Sequence, residues 1–340
     1  MAQNATPLRV ALAGAGMITH YHWTAWSRQA GVAVVAIADP VAERAKARAA
    51  EFGIPAVYAD VPSMLAAEKP DALDIATPRE THAAIAMEAA DAGIPVLCQK
   101  PMAPTLAEAE ALVRAMEGRV RFMVHENWRF QPYYRQIKSW LDSGTVGPAS
   151  LVKMSTLRAG LIPDATGRVP SLERSAYFAT ETRLIIAEVM IHHLDVLRWL
   201  VGPLKVVAAR AARLSDRVVG EDMAAIMMET PDGMPVMLDG HLTAPGFPER
   251  PYDRLDLIGQ QASIRLAEGW VLERLGSAPE RIAYDRAEAY QAGFDGAIGH
   301  FADRLRDGAP FETDGHDNLE TLRLAEEAYR VAGLAPPSNR

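Results

Sequence analysis

Two glycines near the amino terminus have the spacing of a turn that can cradle a phosphate group. The run Gly14-Ala-Gly16-Met-Ile follows a short apolar segment and opens a helical one. The first glycine permits a tight turn, and the second lets the backbone approach a pyrophosphate, whose charge the amides at a helix amino terminus favour. Thr19 stands where the usual fingerprint has its third glycine, a position that serves the packing of helix on strand. The turn therefore predicts a dinucleotide site with one imperfect position.

Asp39 lies 23 residues after Gly16, at the end of the next apolar segment. A carboxylate there can accept hydrogen bonds from ribose hydroxyls and should repel a 2′-phosphate, so the pattern favours NAD and leaves NADP as the alternative. The same residues could form a strand, turn and helix without a ligand. The turn, the helix and Asp39 together favour the cofactor site.

Lys100 is the second candidate for chemistry, because it directly follows an apolar strand-like segment and precedes Pro101. The proline restricts the backbone as it leaves the strand and so helps to aim the lysine. An ammonium in this position can donate a hydrogen bond to a substrate hydroxyl and stabilise the negative charge that grows on the oxygen as a hydride departs. Taken alone, a lysine that follows a strand is usually a solvated surface residue.

The third candidate is a set of polar residues in the apolar, helix-length segment 184–200. Glu188, His192 and Asp195 are spaced by four and three residues, which places them on one stripe of an α-helix. Buried polar groups are costly unless paired, so the stripe predicts a polar pocket. A neutral His192 could accept an alcohol proton, Glu188 could orient the imidazole or contact the substrate, and Asp195 could pair with Arg198. A core histidine with structural carboxylates is the alternative, and a metal site is the less favoured one.

The elements that must position these residues alternate in the first third of the chain. Apolar segments ending near residues 13, 38, 76, 98 and 124 are separated by helical ones. This alternation predicts a parallel sheet with helices on both faces, in which ligands lie beyond the carboxyl ends of the strands. The residues at that edge are 14–17, 39, 77–78, 99–100 and 125 onward.

The second part of the chain shows a different pattern. Short strand-like segments at 150–158, 206–214, 224–229, 235–241, 253–258 and 263–266 mostly lack helix-length connections, which predicts antiparallel pairing. Helices are expected at 133–142, 291–306 and 317–332, and a flexible loop at 160–171. We expect an α/β protein with a doubly wound parallel sheet over 1–124 and a second domain with an open, largely antiparallel sheet over 125–340.

Composition excludes several classes of protein. The chain of 340 residues is long enough for two domains, and a net charge of −8 argues against binding nucleic acid. A single cysteine, Cys98, allows no disulfide within the chain and no multi-cysteine metal site. The segment 1–7 lacks the pattern of a secretory signal, and no apolar run is long enough to span a membrane, so a cytoplasmic location is expected.

These motifs, in this order, resemble those of the glucose–fructose oxidoreductase, inositol dehydrogenase and rhizopine-catabolism family of NAD(P)-dependent enzymes, and the resemblance covers nearly the whole chain. The motifs that carry it are Gly14-Ala-Gly16-Met-Ile with His22, Ala38-Asp39, Ala76-Thr77-Pro78 with Thr81-His82, the run from Gly93 to Pro101, Arg129 with Pro132, and the run from Ile191 to Gly202. The resemblance implies that residues 1–124 form a Rossmann domain that binds NAD(P). It implies that residues 125–340 form a substrate-binding and oligomerisation domain with a large open sheet, whose last helix is a candidate to pack back on the first domain. Members commonly form homodimers or homotetramers through that sheet.

The resemblance also implies roles for individual residues. Lys100 would act in catalysis, His192 would be the acid/base, and Glu188 would belong to the catalytic set. The substrate would be a sugar, polyol or cyclitol, and NAD or NADP would take the hydride. The residues implied to contact the cofactor are Gly14, Gly16, Met17, Ile18, Asp39, Thr77, Pro78, His82, Gln99, Lys100 and Arg129.

Three positions depart from the family pattern and leave the substrate open. Gln99 stands where the family usually has glutamate, Glu188 where it has aspartate, and Met190 where glycine is common. Two other functions stay open at this point: a non-catalytic sensor of NAD or a sugar, and a glycosidase that uses a tightly held NAD.

Overall fold

A computed structural model describes residues 6–334, so most of the segment 1–7 lies outside the described residues. The described chain forms two units, residues 6–130 with 290–320, and residues 131–289 with 321–334. Among the described residues, no helix is long and apolar enough to cross a membrane.

The first unit contains six parallel strands joined by helices, as the alternating pattern predicted. The strands lie in the order β3-β2-β1-β4-β5-β6, which is the doubly wound arrangement of a Rossmann fold. In chain order the elements are β1 (Leu8–Ala13), α1 (Met17–Ser27), β2 (Val32–Ala38), α2 (Ala42–Phe52), β3 (Ala56–Tyr58), α3 (Val61–Glu68), β4 (Ala72–Ile75), α4 (His82–Asp91), β5 (Val96–Gln99), α5 (Leu106–Met116) and β6 (Phe122–His125).

Strand β3 and helix α3 had no counterpart in the sequence prediction. The strand has only three residues, which is too short for a periodic pattern to reveal it. Helix α3 begins after Asp60, whose carboxylate accepts a hydrogen bond from the amide of Ser63 at 2.8 Å and so caps the helix.

The second unit is built on an eight-stranded, largely antiparallel sheet, as predicted. Its order is β14-β13-β12-β11-β7-β10-β9-β8, and β7 and β10 form its parallel pair. The elements are α6 (Pro132–Asp142), β7 (Ala149–Leu157), α7 (Pro170–Arg174), α8 (Ile191–Val201), β8 (Lys205–Ala212), β9 (Met223–Glu229), β10 (Pro235–His241), β11 (Asp253–Gly259), β12 (Ala262–Ala267), β13 (Val271–Gly276) and β14 (Glu280–Ala283). Two helices follow: α9 (Arg286–Asp307) lies mostly in the first unit, and α10 (Gly315–Val331) begins in the first unit and continues in the second.

The segment Tyr290–Glu320 belongs to the first unit, whereas the sequence analysis expected residues 125–340 to form one domain. Phe294, Phe301 and Phe311 join the buried core of the Rossmann unit. Thr313 also bonds to strand β6, because its hydroxyl donates to the carbonyl of Val124 at 2.6 Å. Burial of these aromatic rings explains why a segment far along the chain completes the amino-terminal fold.

The segment 184–200 is not one continuous α-helix, so that part of the helix prediction was wrong. Residues Ile185–Met190 form a π-helix, and α8 begins at Ile191. Glu221 explains the wider turn at its start, because its Oε1 accepts from the amides of Leu184 and Ile186 at 3.1 and 3.2 Å. The side chain thereby satisfies amide groups that an isolated helix leaves without partners.

Candidate active site

The turn after β1 requires glycine at position 14. Its φ angle is +97°, and a Cβ atom added there would lie 2.5 Å from the carbonyl oxygen of Ala76. The buried Thr19 supports the same turn, since its hydroxyl donates to the carbonyl of Gly14 at 2.9 Å. Thr19 thus stabilises the turn from the position where the usual fingerprint has glycine.

Gly16 differs from Gly14, although the two glycines share one motif. It precedes α1 and has an ordinary φ of −75°, and a Cβ atom placed on it would meet nothing within 4 Å. Met17 is exposed, while Ile18 packs against the core. The start of α1 therefore presents backbone amides beside open space, which fits the approach of a pyrophosphate.

The two glycines should respond differently to alanine. Gly14→Ala is expected to lower the free energy of unfolding by about 1–3 kcal/mol from backbone strain at positive φ. The clash of its methyl group with the carbonyl oxygen of Ala76 should add to this loss. Gly16→Ala should leave the melting temperature near that of the native chain but weaken NADH binding, because the methyl group fills the open space. Thermal unfolding and NADH fluorescence titration measure the two effects. Equal losses of stability in both variants would contradict this assignment.

Asp39 joins the first two loops of the Rossmann sheet. Its Oδ2 accepts from the amide of Ala15 at 2.8 Å, and its Oδ1 accepts from the amide of Val41 at 2.8 Å. The guanidinium of Arg44 lies 3.9 Å from the same carboxylate. Each carboxylate oxygen keeps a lone pair for a further donor, so the arrangement is compatible with the predicted ribose contact.

His82 connects the loop after β4 with the turn after β5. Its Nε2 lies 2.9 Å from the carbonyl oxygen of Thr77, and its Nδ1 lies 2.9 Å from that of Pro101. Burial lowers the pKa of His82, despite the opposing effect of these two carbonyls. The neutral ring has one N–H group and can donate to only one of them at a time. His82 therefore holds Thr77 and Pro78 beside the Lys-Pro turn.

Lys100 lies directly after β5 and is partly buried. The peptide bond that joins it to Pro101 is cis. Its backbone amide donates to Oε1 of Gln99 at 3.2 Å, and the carboxamide nitrogen of Gln99 faces His22 and His125. The turn is thus connected to a polar network inside the Rossmann unit.

Arg129 is deeply buried in the first unit, with its guanidinium directed toward the segment 312–317. Its Nη2 forms an ion pair with Asp317 at 2.8 Å, and its Nη1 donates to the carbonyl of Glu312 at 3.0 Å. These contacts show that Arg129 fixes the carboxyl-terminal segment on the Rossmann core. Its predicted contact with the cofactor stays a prediction.

In the second unit, Glu188, His192 and Asp195 are all buried, as the sequence predicted. The single-stripe argument needs correction, because Glu188 lies in the π-helix and the spacing of 100° per residue holds only from Ile191 onward. The Oε2 atom of Glu188 accepts a hydrogen bond from the hydroxyl of Tyr177 at 3.3 Å. Among residues 6–334, no group of three or more histidine, cysteine, aspartate or glutamate side chains could hold a metal ion.

Asp195 stabilises the position of helix α8. The predicted pairing with Arg198 is present at 3.7 Å, and Asp195 also accepts a hydrogen bond from the hydroxyl of Thr321 at 2.9 Å. Thr321 lies on α10, so the bond joins two helices of the second unit. Sequence reasoning missed Thr321, because a residue 126 positions away leaves no local signal.

His193 was also missed, although it adjoins His192. Its Nε2 lies 2.9 Å from Oδ1 of Asp253, and its Nδ1 lies 3.1 Å from the carbonyl oxygen of Val189. The hydroxyl of Tyr134 donates to the same aspartate at 3.2 Å. His193 therefore joins the π-helix to β11 and contributes to the placement of the neighbouring His192.

Met190 and Gly240 account for one departure from the family pattern. A Cβ atom on Gly240 would lie 2.7 Å from the sulfur of Met190. The glycine in β10 therefore makes room for the methionine in the π-helix, so this departure is a matter of packing.

Comparison with known proteins identifies the class. Residues 8–126 match the model of an oxidoreductase family with an NAD-binding Rossmann fold, and residues 134–265 match the GFO/IDH/MocA C-terminal domain. The chain belongs to the GFO/IDH/MocA oxidoreductase family, which confirms the resemblance found in its motifs.

Similar proteins include dehydrogenases of sugars and cyclitols. The chain is 33% identical to a D-apiose dehydrogenase of Rhizobium rhizogenes, over 97% of this chain and 96% of that protein. It is 28% identical to inositol 2-dehydrogenase 4 of Saccharopolyspora erythraea, over 97% and 95%. Its fold matches an oxidoreductase from Agrobacterium radiobacter, crystallised with NAD+, L-tartaric acid and magnesium, with a TM-score of 0.89 and 31% identity over 96% and 97% of the two chains.

Proposed function

We propose that this oxidoreductase uses NAD to oxidise a hydroxyl group of a sugar, polyol or cyclitol. The observation that carries the proposal is that Gly14, Asp39, Thr77 and Lys100 all follow strands of one parallel sheet and therefore share its carboxyl edge. The similarity to dehydrogenases named for D-apiose and inositol supports the choice of substrate class.

The cofactor supplies a nicotinamide ring that accepts a hydride when it is bound. The structure fits such a cofactor at two points: the open space beside Gly16 and the remaining lone pairs of Asp39. The Gly14 turn and the start of α1 would bind the pyrophosphate, and Asp39 would bind the ribose.

Two side chains would act on the alcohol itself. The ammonium of Lys100 would donate a hydrogen bond to the substrate oxygen and stabilise its growing negative charge. The imidazole of His192 would accept the hydroxyl proton. Glu188 would hold the substrate or the imidazole, since its carboxylate is buried in the same unit as His192.

A substrate screen tests the proposal. The purified chain should reduce NAD with one group of compounds from a panel of D-apiose, other pentoses, hexoses, inositols and sugar acids, read as absorbance of the reduced cofactor. Binding of NADH without turnover across the panel would favour a sensor. Release of a free sugar from a glycoside, with NAD retained through purification, would favour a glycosidase. Either result would overturn the proposal.

Asp39 should set the preference for NAD. Asp39→Ser removes a carboxylate that repels a 2′-phosphate and leaves Arg44 in place, so the ratio of NADH to NADPH affinity should fall about ten- to a hundredfold. Fluorescence titration with both reduced cofactors gives the ratio without any substrate. The control is Glu43→Ser, an exposed carboxylate on the same helix as Arg44, which should leave the ratio unchanged. An unaltered ratio in Asp39→Ser would remove Asp39 from cofactor selection.

We also propose that the chain forms a homodimer or homotetramer through the exposed face of the eight-stranded sheet. Met227 and Met237 are cross-strand partners on β9 and β10, and about two-fifths of each residue is exposed. The same row of cross-strand neighbours continues from Met237 through Lys153, Asp256 and Arg265. The face therefore combines an apolar end with charges of alternating sign. Light scattering should give a dimeric or tetrameric mass for the native chain and a smaller one for a double lysine variant at the two methionines. A monomeric native chain would contradict the proposal.

A further inference from the structure

A buried polar network lies beneath the Lys-Pro turn of the Rossmann unit. The Nε2 atom of Gln99 lies 2.6 Å from Nε2 of His22 and 3.1 Å from Nδ1 of His125. On its other side, Nδ1 of His22 lies 2.8 Å from the carboxylate of Asp74, which also accepts from the indole of Trp26 at 2.7 Å. Hydrogen bonds thus connect an aspartate in the core to the residue that precedes Lys100.

The backbone amide of Lys100 fixes the orientation of the Gln99 carboxamide, that is, which side carries its oxygen and which its nitrogen. This amide can only donate, and it faces Oε1 of Gln99 at 3.2 Å. If the carboxamide were turned over, two donors would face each other there. The NH₂ group of Gln99 must therefore face the two histidines, so its two hydrogens are donated to His22 and His125.

This orientation determines the protons on both rings. A nitrogen that accepts from Gln99 carries no hydrogen, so Nε2 of His22 and Nδ1 of His125 are both unprotonated. The proton of His22 is then on Nδ1, where it is donated to Asp74. Each ring is neutral in this arrangement, and an added proton would point at the NH₂ group of Gln99.

The two histidine rings lie close together in the core of the Rossmann unit. The rings of His22 and His125 lie 4.3 Å apart between centroids, and both contact the ring of Phe294 on α9. The carboxylate of Asp74 on β4 contacts His22, and burial raises the pKa of the Cys98 thiol on β5, which keeps that thiol uncharged. The carboxylate of Asp74 would pair with a protonated His22, so the neutral state of this ring depends on the NH₂ group that Gln99 directs at its Nε2 atom.

We propose that Gln99 is a positioning residue for Lys100, and that it holds the lysine in place only while His22 and His125 are both neutral. The role in catalysis rests on the proposed function, because Lys100 must act on the substrate oxygen. The proton arrangement itself does not depend on that function. The contribution of Gln99 to turnover should therefore be present at higher pH and lost at lower pH.

Nitrogen NMR of the histidine side chains in the full chain tests the proton arrangement without any substrate. At pH 7.5 the native chain should show a neutral His22 with its proton on Nδ1 and a neutral His125 with its proton on Nε2. In Gln99→Glu the carboxylate only accepts, so His22 must donate from both nitrogens and should become an imidazolium at the same pH. Exposed His20 and His316 are internal references that should be the same in both chains.

The pH profile of kcat tests the effect on Lys100. Every variant keeps His192, so each profile is compared as the ratio of the variant's kcat to that of the native chain at the same pH. For Gln99→Glu this ratio should rise toward acid and fall toward alkaline pH. Gln99→Met holds the amide of Lys100 at no pH, so its ratio should be about one-tenth at alkaline pH and approach one toward acid, where the native chain has also lost the contact. Gln260→Glu adds the same charge at an exposed site and should keep the native profile.

Three results would overturn the proposal. They are an imidazolium His22 in the native chain, a Gln99→Glu chain with the native proton arrangement, and a Gln99→Glu profile identical to the native one. If Gln99→Glu did not fold, the native spectrum and Gln99→Met would still decide. A chain that turned over no substrate would refute the proposed function, while the NMR result would still decide the proton arrangement.

Discussion

Replacing Lys100 with methionine is expected to lower kcat about 10²- to 10³-fold, while the affinity for NADH stays near that of the native chain. The reason is that methionine keeps much of the length and volume of the side chain but removes the ammonium that would stabilise negative charge on the substrate oxygen. Steady-state kinetics on the substrate found in the screen give kcat, and NADH fluorescence titration gives the affinity.

Two further variants isolate the charge of Lys100. Lys46→Met removes an ammonium that is about two-thirds exposed on α2, and kcat should be unchanged. Lys100→Arg keeps the charge but alters its shape, so part of the activity should return. Full activity in Lys100→Met would refute the catalytic assignment and leave Lys100 as a solvated residue at the edge of the sheet.

Replacing His192 with alanine should lower kcat by about 10²–10⁴-fold, the usual contribution of a general base. The adjacent His193 offers a matched control, because its contacts are structural. His193→Ala removes the partner of a buried aspartate, so it should lower the free energy of unfolding by about 1–3 kcal/mol. His192→Ala should leave thermal stability closer to the native value.

The comparison of the two histidines makes the test specific. We measure kcat and the melting temperature for both variants, with His20→Ala as an exposed control on α1. In His192→Ala we expect kcat to fall without a matching fall in the melting temperature. In His193→Ala we expect the melting temperature to fall more than kcat does. If His192→Ala kept its rate, His192 would be a core histidine of the kind that the sequence left open.

The elements that carry the candidate site of the first unit could be predicted from the sequence because their signals are local. Short periodic segments reveal the alternation of strands and helices. This alternation indicates a parallel sheet, and the residues that follow each strand then lie at its carboxyl edge. Gly14 and Gly16 looked alike in the motif. Only their contacts separate the one that the backbone requires from the one that faces open space.

The second unit was harder to predict, because its special features depend on distant residues. The apolar segment 184–200 has the composition of a single helix, but Glu221 bonds to its first amides and the π-helix follows there. Likewise, Tyr290–Glu320 joins the first unit because its phenylalanines fill the Rossmann core.

The sequence by itself determined the two kinds of sheet, the glycine turn and the family of this protein, since each depends on spacing within a few tens of residues. Tertiary structure decided how the polar side chains are paired. Gln99 shows the reason most clearly. In the sequence it was a departure from the usual glutamate, and nothing indicated which neighbouring groups its uncharged side chain would contact. In the fold, its carboxamide lies between the amide of Lys100 and two histidines from α1 and β6, so the positions of three separate elements determine which protons the site can hold.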